Sequence, residues 1–294
     1  MRILLTKCWD QPEYLDDGVL IGMRDLFGTE VVDYPRSNHM YSDTFGIGKR
    51  DISTIAARGF TYYGSMDDAG VDRSDIELKI RTGYFDLVIM HSWYPSPLLH
   101  LIFQYTPKSK IVWLDGRDET EIMTWAIQTG VYFKRELVSD RADVLPISFG
   151  FPDRKIQLPL EKIRDLAPLI PGRLETYVYN GEDEYYRQYN ESGFGITFKK
   201  NGWDCLRHYE IMGAQCVPVF LDIIDCPPRT CTTLPKSLLL QVNAMIAQHG
   251  TDGFLNKFQN EYNDIANQIQ VHFQRYCTTT ALAKYIIDSV MEFR

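Results

Sequence analysis

The 294-residue chain carries 31 Lys and Arg against 39 Asp and Glu, a formal charge of −8, with 45% hydrophobic and 24% charged residues. That balance excludes a disordered chain and argues against a nucleic-acid partner, whose phosphates need a basic face. The length suits two domains of ordinary size. No apolar run approaches a membrane span, and MRILLTKCWD is too short in its apolar part for a signal peptide. The six cysteines, Cys8, Cys205, Cys216, Cys226, Cys231 and Cys277, show no C-x-x-C pair or zinc spacing and read as reduced and structural. The expectation is a soluble protein of a reducing compartment.

Arg2 to Thr6 reads as a buried parallel strand, Leu15 to Phe27 as a helix closed by Gly28, and Glu30 to Tyr34 as a second strand stopped by Pro35. Asn38 to Ser74 is irregular, with an apolar patch only near Ile55; so long a loop tends to be functional and is a candidate for the acceptor side. Phe85 to Met90 is a strand ending in His91, Pro97 to Tyr105 a helix, and Lys110 to Leu114 a strand that ends in Asp115-Gly116-Arg117-Asp118-Glu119. This alternation predicts a parallel sheet covered on both faces. Ligands of such sheets bind beyond the carboxyl ends of the strands, which brings Cys8 to Asp10, His91 and Asp115 to Glu119 to one edge.

Val131 to Leu137 reads as a further strand with a basic tip, and Val144 to Pro152 as a domain boundary, with Arg154 and Lys155 able to add positive charge. Pro159 to Ala167 is expected as a helix, Thr176 to Tyr179 as a strand and Asp183 to Tyr189 as a helix. Asp222 to Thr233 is a Pro-rich loop whose Cys226-Pro227-Pro228 stiffens a cleft wall. Helices follow over Lys236 to His249 and about Asn256 to Met291, the latter broken near Cys277 to Thr280.

The segment from Phe194 to Phe220 carries the chemistry. Phe194, Ile196 and Phe198 alternate as a strand, and Lys199 and Lys200 lead to an Asn201-Gly202 turn. Asp204 is the expected N-cap of a helix over Cys205 to Gln215, and Cys216 to Phe220 forms the next strand. A basic, Gly-containing turn into a helix start is an anion site, suited to a phosphate. Glu210, two turns further in, can accept hydrogen bonds from a ribose, with Arg207 one turn before it on the same face. Trp203 either stacks on a nucleotide base or staples the helix.

KKNGWDCLRHYEIMGAQCVPVFLDIIDCPP resembles the donor-binding segment of exostosin-like glycosyltransferases and related GT-B enzymes. Arg207, Glu210, Gly213-Ala214 and Cys216-Val217-Pro218 match position by position, whereas the family's Ala-Gly before the cysteine is Ala214-Gln215 here. The match covers about residues 180 to 236. The resemblance implies an α/β protein of two Rossmann-like domains (GT-B type) with a cleft between them. These would be an acceptor-side domain over 1–145, a donor domain over 146–275, and a C-terminal helix over 276–294, Ala281 to Met291 in particular, returning to the first. It also implies a hexosyl- or pentosyltransferase using a nucleotide-sugar, with Glu210 on the ribose, a glycan or glycoconjugate as acceptor, and no further cofactor. Without an anchor segment, a cytoplasmic bacterial or viral relative fits better than the secretory-pathway members.

Inverting transfer needs a base for the acceptor hydroxyl, positive charge for the leaving diphosphate, and a water-excluding cleft. The charge is expected from Lys199, Lys200, Arg207 and the helix start around Gly202, Trp203 and Asp204, so no metal is required; no Asp-x-Asp ends a strand of the second domain. Asp115, beside Gly116, is the candidate base, with His91 and Asp10 behind it and Arg117, Asp118 and Glu119 as acceptor-side contacts. His208 lies nearly opposite Glu210 on the helix and has no assigned role. The sequence leaves inversion and retention open. The rival readings are a non-catalytic nucleotide- or glycan-binding module of the same fold, and a dinucleotide enzyme, against which stands the missing G-x-G-x-x-G after the first strand.

Overall fold

Runs of Val, Ile and Leu form β1 (Ile3–Thr6), β2 (Val31–Tyr34), β3 (Leu87–His91), β4 (Ile111–Asp115) and β5 (Val131–Lys134), joined by the two-residue β6 (Leu145–Pro146). They lie in the order β2-β1-β3-β4-β5-β6, and every pair is parallel. The computed structural model describes residues 1–8, 10, 12–44, 61–179 and 181–292. Side chains alternate across a strand, so each strand feeds two cores. Ile3, Leu5, Ile89, Leu114 and Phe133 pack with α1 (Tyr14–Phe27) and α10 (Thr279–Glu292). Leu4, Val88, Met90, Trp113 and Tyr132 pack with α2 (Ile76–Arg81), α3 (Leu99–Tyr105) and α4 (Thr124–Thr129).

A second parallel sheet runs β7-β8-β9, over Arg164–Leu166, Ser192–Thr197 and Val217–Phe220, linked through α5 (Glu182–Asn190) and α6 (Leu206–Gly213). The helices α7 (Lys236–His249), α8 (Phe254–Lys257) and α9 (Gln259–Tyr276) pack around it. The chain crosses between the two halves near Phe151 and again near Thr278. The two crossings are bonded to each other, Phe151 N–H to the Cys277 carbonyl at 2.8 Å and Thr279 N–H to the Phe151 carbonyl at 2.9 Å. Beyond the second crossing α10 returns to pack along α1. The architecture is thus the expected α/β fold of GT-B type, two Rossmann-like sheets with the last helix on the first. Among the described residues no helix is long and apolar enough to cross a membrane.

Two expected elements are absent. The stretch from Pro159 to Ala167 is not a helix: it runs extended and ends in β7, because its N–H groups find partners on the neighbouring strand and helix. Leu160 donates to Asn190 Oδ1 (3.0 Å), Ile163 to the Glu191 carbonyl (2.9 Å) and Ala167 to the Phe194 carbonyl (2.8 Å). Those tertiary bonds override a local preference for helix. Thr176 to Tyr179 is no strand either; a 3₁₀ turn over Leu174–Thr176 leads into coil that points Tyr177 and Tyr179 at the interior cleft. In the expected functional loop, residues 45–60, with Ile55, lie outside the described residues. The remainder is irregular but anchored by buried Tyr41, Tyr62 and Met66.

α1 and α10 approach at Gly22, where a Cβ would stand 1.9 Å from the Thr279 carbonyl oxygen. Gly22→Val is expected to cost about 1–3 kcal/mol or more by overpacking, read as a lowered urea midpoint. An unchanged midpoint would contradict this packing.

Candidate active site

A cleft of about 1080 Å³ opens between the two halves, larger than most ligand pockets. Glu13 before α1, Gly116 to Asp118 after β4, Arg135 after β5, and Phe149 line it from the first half. Lys200 to Gly202, Asp204, Arg207 and Glu210 line it from the second, with Tyr177, Tyr179 and Tyr185.

Glu210 lies on the cleft face of α6, 9% exposed. Both of its oxygens take hydroxyl protons: Tyr185 Oη donates to Oε2 at 2.5 Å, and Thr61 Oγ1 donates to Oε1. Thr61 also meets Tyr186 Oη at 3.0 Å. Arg207, one turn earlier, donates from Nη1 to Tyr177 Oη at 2.7 Å, and the guanidinium carbon is 5.2 Å from that ring centroid. Its buried Nε has no hydrogen-bond partner among the described residues. The Lys200 side chain enters no ion pair among the described residues, although its backbone N–H reaches the Gly202 carbonyl at 3.1 Å.

The turn before α6 differs from expectation. Lys199 and Trp203 do not line the cleft: the Lys199 ammonium lies 5.6 Å from the Trp203 ring centroid, and Trp203 packs against the core. Trp203 is a staple, not a platform for a base. The Trp203 and Asp204 N–H groups, read as phosphate donors, go instead to Glu136 Oε2 and Oε1, each at 3.0 Å. Nor is Asp204 the N-cap; that is Cys205, without a side-chain bond. The Asp204 carboxylate takes Phe149 N–H and Tyr209 Oη, both at 2.7 Å. Burial, opposed by Arg135, pushes it up to about 6. At Gly202 the halves close tightly, since a Cβ there would stand 2.6 Å from Glu136 Oε1 and 2.7 Å from Asp118 Oδ1.

Asp115 does not reach the cleft. It is 0% exposed and held by Lys134 Nζ at 3.0 Å, Arg117 Nη2 at 3.1 Å and Tyr132 Oη at 2.6 Å. Burial alone would raise its carboxyl, but hydrogen bonds from Arg117 and the Lys134 charge hold it below the ordinary range. An anion so satisfied takes no proton from an acceptor, which corrects its assignment as the base. Arg117 lies 4.0 Å over the Trp93 ring and does line the cleft, as does Asp118, which pairs with Arg135. Glu119 lies outside, its side chain 61% exposed and 3.9 Å from Arg117. Asp10 caps Asn38, accepting its N–H at 3.0 Å and its Nδ2 at 2.7 Å.

His91 is buried behind the cleft wall, its Nδ1 accepting the N–H groups of Trp93 (3.2 Å) and Tyr94 (3.1 Å). His208 is structural: Nδ1 meets Thr197 Oγ1 at 2.8 Å, Nε2 meets the Trp203 carbonyl at 2.9 Å, and the ring stacks on Phe220 with centroids 4.2 Å apart. Arg154 and Lys155 pair with Asp25 (2.9 Å) and Glu182 (2.5 Å), away from the cleft. The Cys226-Pro227-Pro228 loop is no cleft wall; next to it, Arg229 and Thr230 dock onto the first half through the carbonyls of Ser139, Val144 and Leu137. Sequence reading missed Glu13, Thr61, Tyr177, Tyr185, Arg135 and Glu136. Only the basic tip of β5 gave a signal, for Arg135.

No family model and no curated protein matches the chain. Among solved structures, an alpha-glucosyltransferase in complex with UDP and a 13-mer DNA containing a HMU base aligns over 99% of each chain, at 10% identity and a TM-score of 0.44. The spinosyn forosaminyltransferase SpnP aligns over 99% of each chain at 11% identity and a TM-score of 0.35. Both of those proteins are glycosyltransferases.

Asp115→Ala strands the Lys134 ammonium, itself 0% exposed, and is expected to cost about 3–5 kcal/mol of stability in denaturant unfolding. A catalytic base would instead give a stable, inactive protein. His208 provides a pH test. Burial lowers it from 6.5 to about 3 in the fold, so as pH falls through that window the unfolded chain takes up the proton first and folding is disfavoured. The stability of wild type relative to His208→Gln should therefore shrink on acidification from about 6.5 toward 3; a constant difference would contradict a neutral buried ring.

Proposed function

We propose that the chain transfers a sugar from a nucleoside-diphosphate donor to a hydroxyl of a glycan or glycoconjugate, with inversion and without a metal. The observation that carries this reading is Glu210 on the cleft wall. It is a carboxylate already clasped by two hydroxyl donors, which is the chemistry a ribose diol presents, and each oxygen keeps a second lone pair. Arg207 stands one turn away with a buried, unpartnered Nε, and Lys200 adds a cation at the same wall, so a diphosphate beside the ribose meets charge-assisted donors. The exostosin-like motif over residues 199 to 218 names the same two residues. In this reading the donor-contacting set is Lys200, Gly202, Arg207 and Glu210, with Arg117 and Asp118 toward the acceptor.

Isothermal titration against a panel of nucleoside diphosphates and their sugar esters tests it. Glu210→Gln and Arg207→Ala are each expected to weaken donor binding by about 10- to 150-fold, the worth of a hydrogen bond to a charged group. Transfer should persist in chelator. Unchanged affinity in both variants would refute the assignment. The sealing of Asp115 favours one alternative, a binding module without chemistry; donor hydrolysis by wild type would count against that.

A further inference from the structure

We propose that Glu13 is the group that takes the proton from the acceptor hydroxyl, with Asp16 and His91 as the residues that position it. This rests on the transfer reading above. Glu13 precedes α1, which follows β1, and His91 ends β3, the strand on the other side of β1 from β2. The crevice between β1 and β3 is therefore where the chain order of the sheet reverses, the place where open parallel sheets take ligands. Glu13 Oε2 is fixed by the Asp16 N–H at 2.9 Å. Oε1 lies over Gly116, only 2.5 Å from where a Cβ would stand, so the absence of a side chain there opens its approach to the cleft.

A carboxylate oxygen of Glu13, one of Asp16 and a ring nitrogen of His91 all lie within 4.8 Å of one another. Asp16 is 2% exposed, and its Oδ1 has no hydrogen-bond partner among the described residues. Burial first, then the nearby Glu13 carboxyl, drives the Asp16 carboxyl well above the ordinary range, and Glu13 is the member of the pair that lines the cleft. The trio resembles a cation site, but its tautomer argues otherwise. His91 Nδ1 accepts two backbone N–H groups, so the hydrogen of the neutral ring is on Nε2. A metal at Nε2 would require that hydrogen on Nδ1, against both donors. His91 thus keeps Nε2–H as its one donor, beside the carboxyl pair.

Among the described carboxylates lining the cleft, Asp118 is paired with Arg135, Asp204 takes the Phe149 N–H and the Tyr209 hydroxyl, and Glu210 is clasped by hydroxyls. Glu13 forms no ion pair there. In the step, the acceptor oxygen bonds to the anomeric carbon as that carbon's bond to the diphosphate oxygen breaks. The acceptor proton passes to Glu13, and the electron pair departs on the diphosphate.

The experiment is Glu13→Gln, which retains an acceptor for the Asp16 N–H. Expected is a fall in kcat of about 10²- to 10⁴-fold, with donor affinity by titration and the melting temperature unchanged. Asp16→Asn should lower kcat by less and leave KM unchanged. Wild-type turnover in Glu13→Gln overturns the assignment while sparing the transfer reading. A wild type that binds no nucleotide-sugar overturns the transfer reading and this assignment with it. Transfer lost in chelator and restored by Mn²⁺ in wild type, but not in Glu13→Gln, makes the trio a cation site and overturns its role as base.

Discussion

One buried guanidinium fixes how the two halves meet. Arg135 is 2% exposed and donates from Nε to the Gly116 carbonyl of the first half at 2.8 Å and from Nη1 to the Asp204 carbonyl of the second. It also pairs with Asp118 and, at 3.1 Å, with Glu136, which in turn takes the Trp203 and Asp204 amides. A charge this deep persists only when paired and hydrogen-bonded. Arg135 therefore holds the loop after β4 against the turn before α6, and these two segments form the floor of the cleft.

The rest of the cleft follows from that closure. Thr61 belongs to a segment far from α6 in the chain, 149 residues before Glu210, yet its hydroxyl reaches that carboxylate. Tyr62 reaches the Gly150 carbonyl at 2.6 Å near the crossing between the halves. The long irregular segment after β2 is therefore part of the wall that holds Glu210, not an excursion on the acceptor side alone. Beside Glu210 on the same helix, Arg207 is held by the Tyr177 hydroxyl and ring.

The protein is acidic, and its cleft still presents cations where the proposed donor phosphates would lie. Local pairing explains this. Lys134, Arg135 and Arg154 are consumed by carboxylates and carbonyls, whereas among the described residues Arg207 has a phenol on Nη1 and an idle Nε. The same sorting separates the acids: Asp115 is sealed by three partners, while Glu13 keeps an oxygen toward the cleft.

Strands β1 to β5 of the first sheet, α1, α7 and the β8-α6-β9 unit were legible in the sequence, because each rests on local periodicity and end signals that need no distant partner, whereas the return of the last helix was expected only from the family resemblance. Glu210 and Arg207 were legible for the same reason, sharing one helix face. The edge strand β7 and the coil at Tyr177 were not, because hydrogen bonds to Asn190, Glu191 and Phe194 and the space of the cleft outweigh local preference there. The state of each acidic group was likewise beyond the sequence. Asp115 and Glu13 are both carboxylates close to the ends of parallel strands. Only the packing of Lys134, Arg117 and Tyr132 around one, and of Asp16, His91 and Gly116 around the other, decides which is sealed and which is open to the cleft, because burial and pairing are properties of the assembled fold.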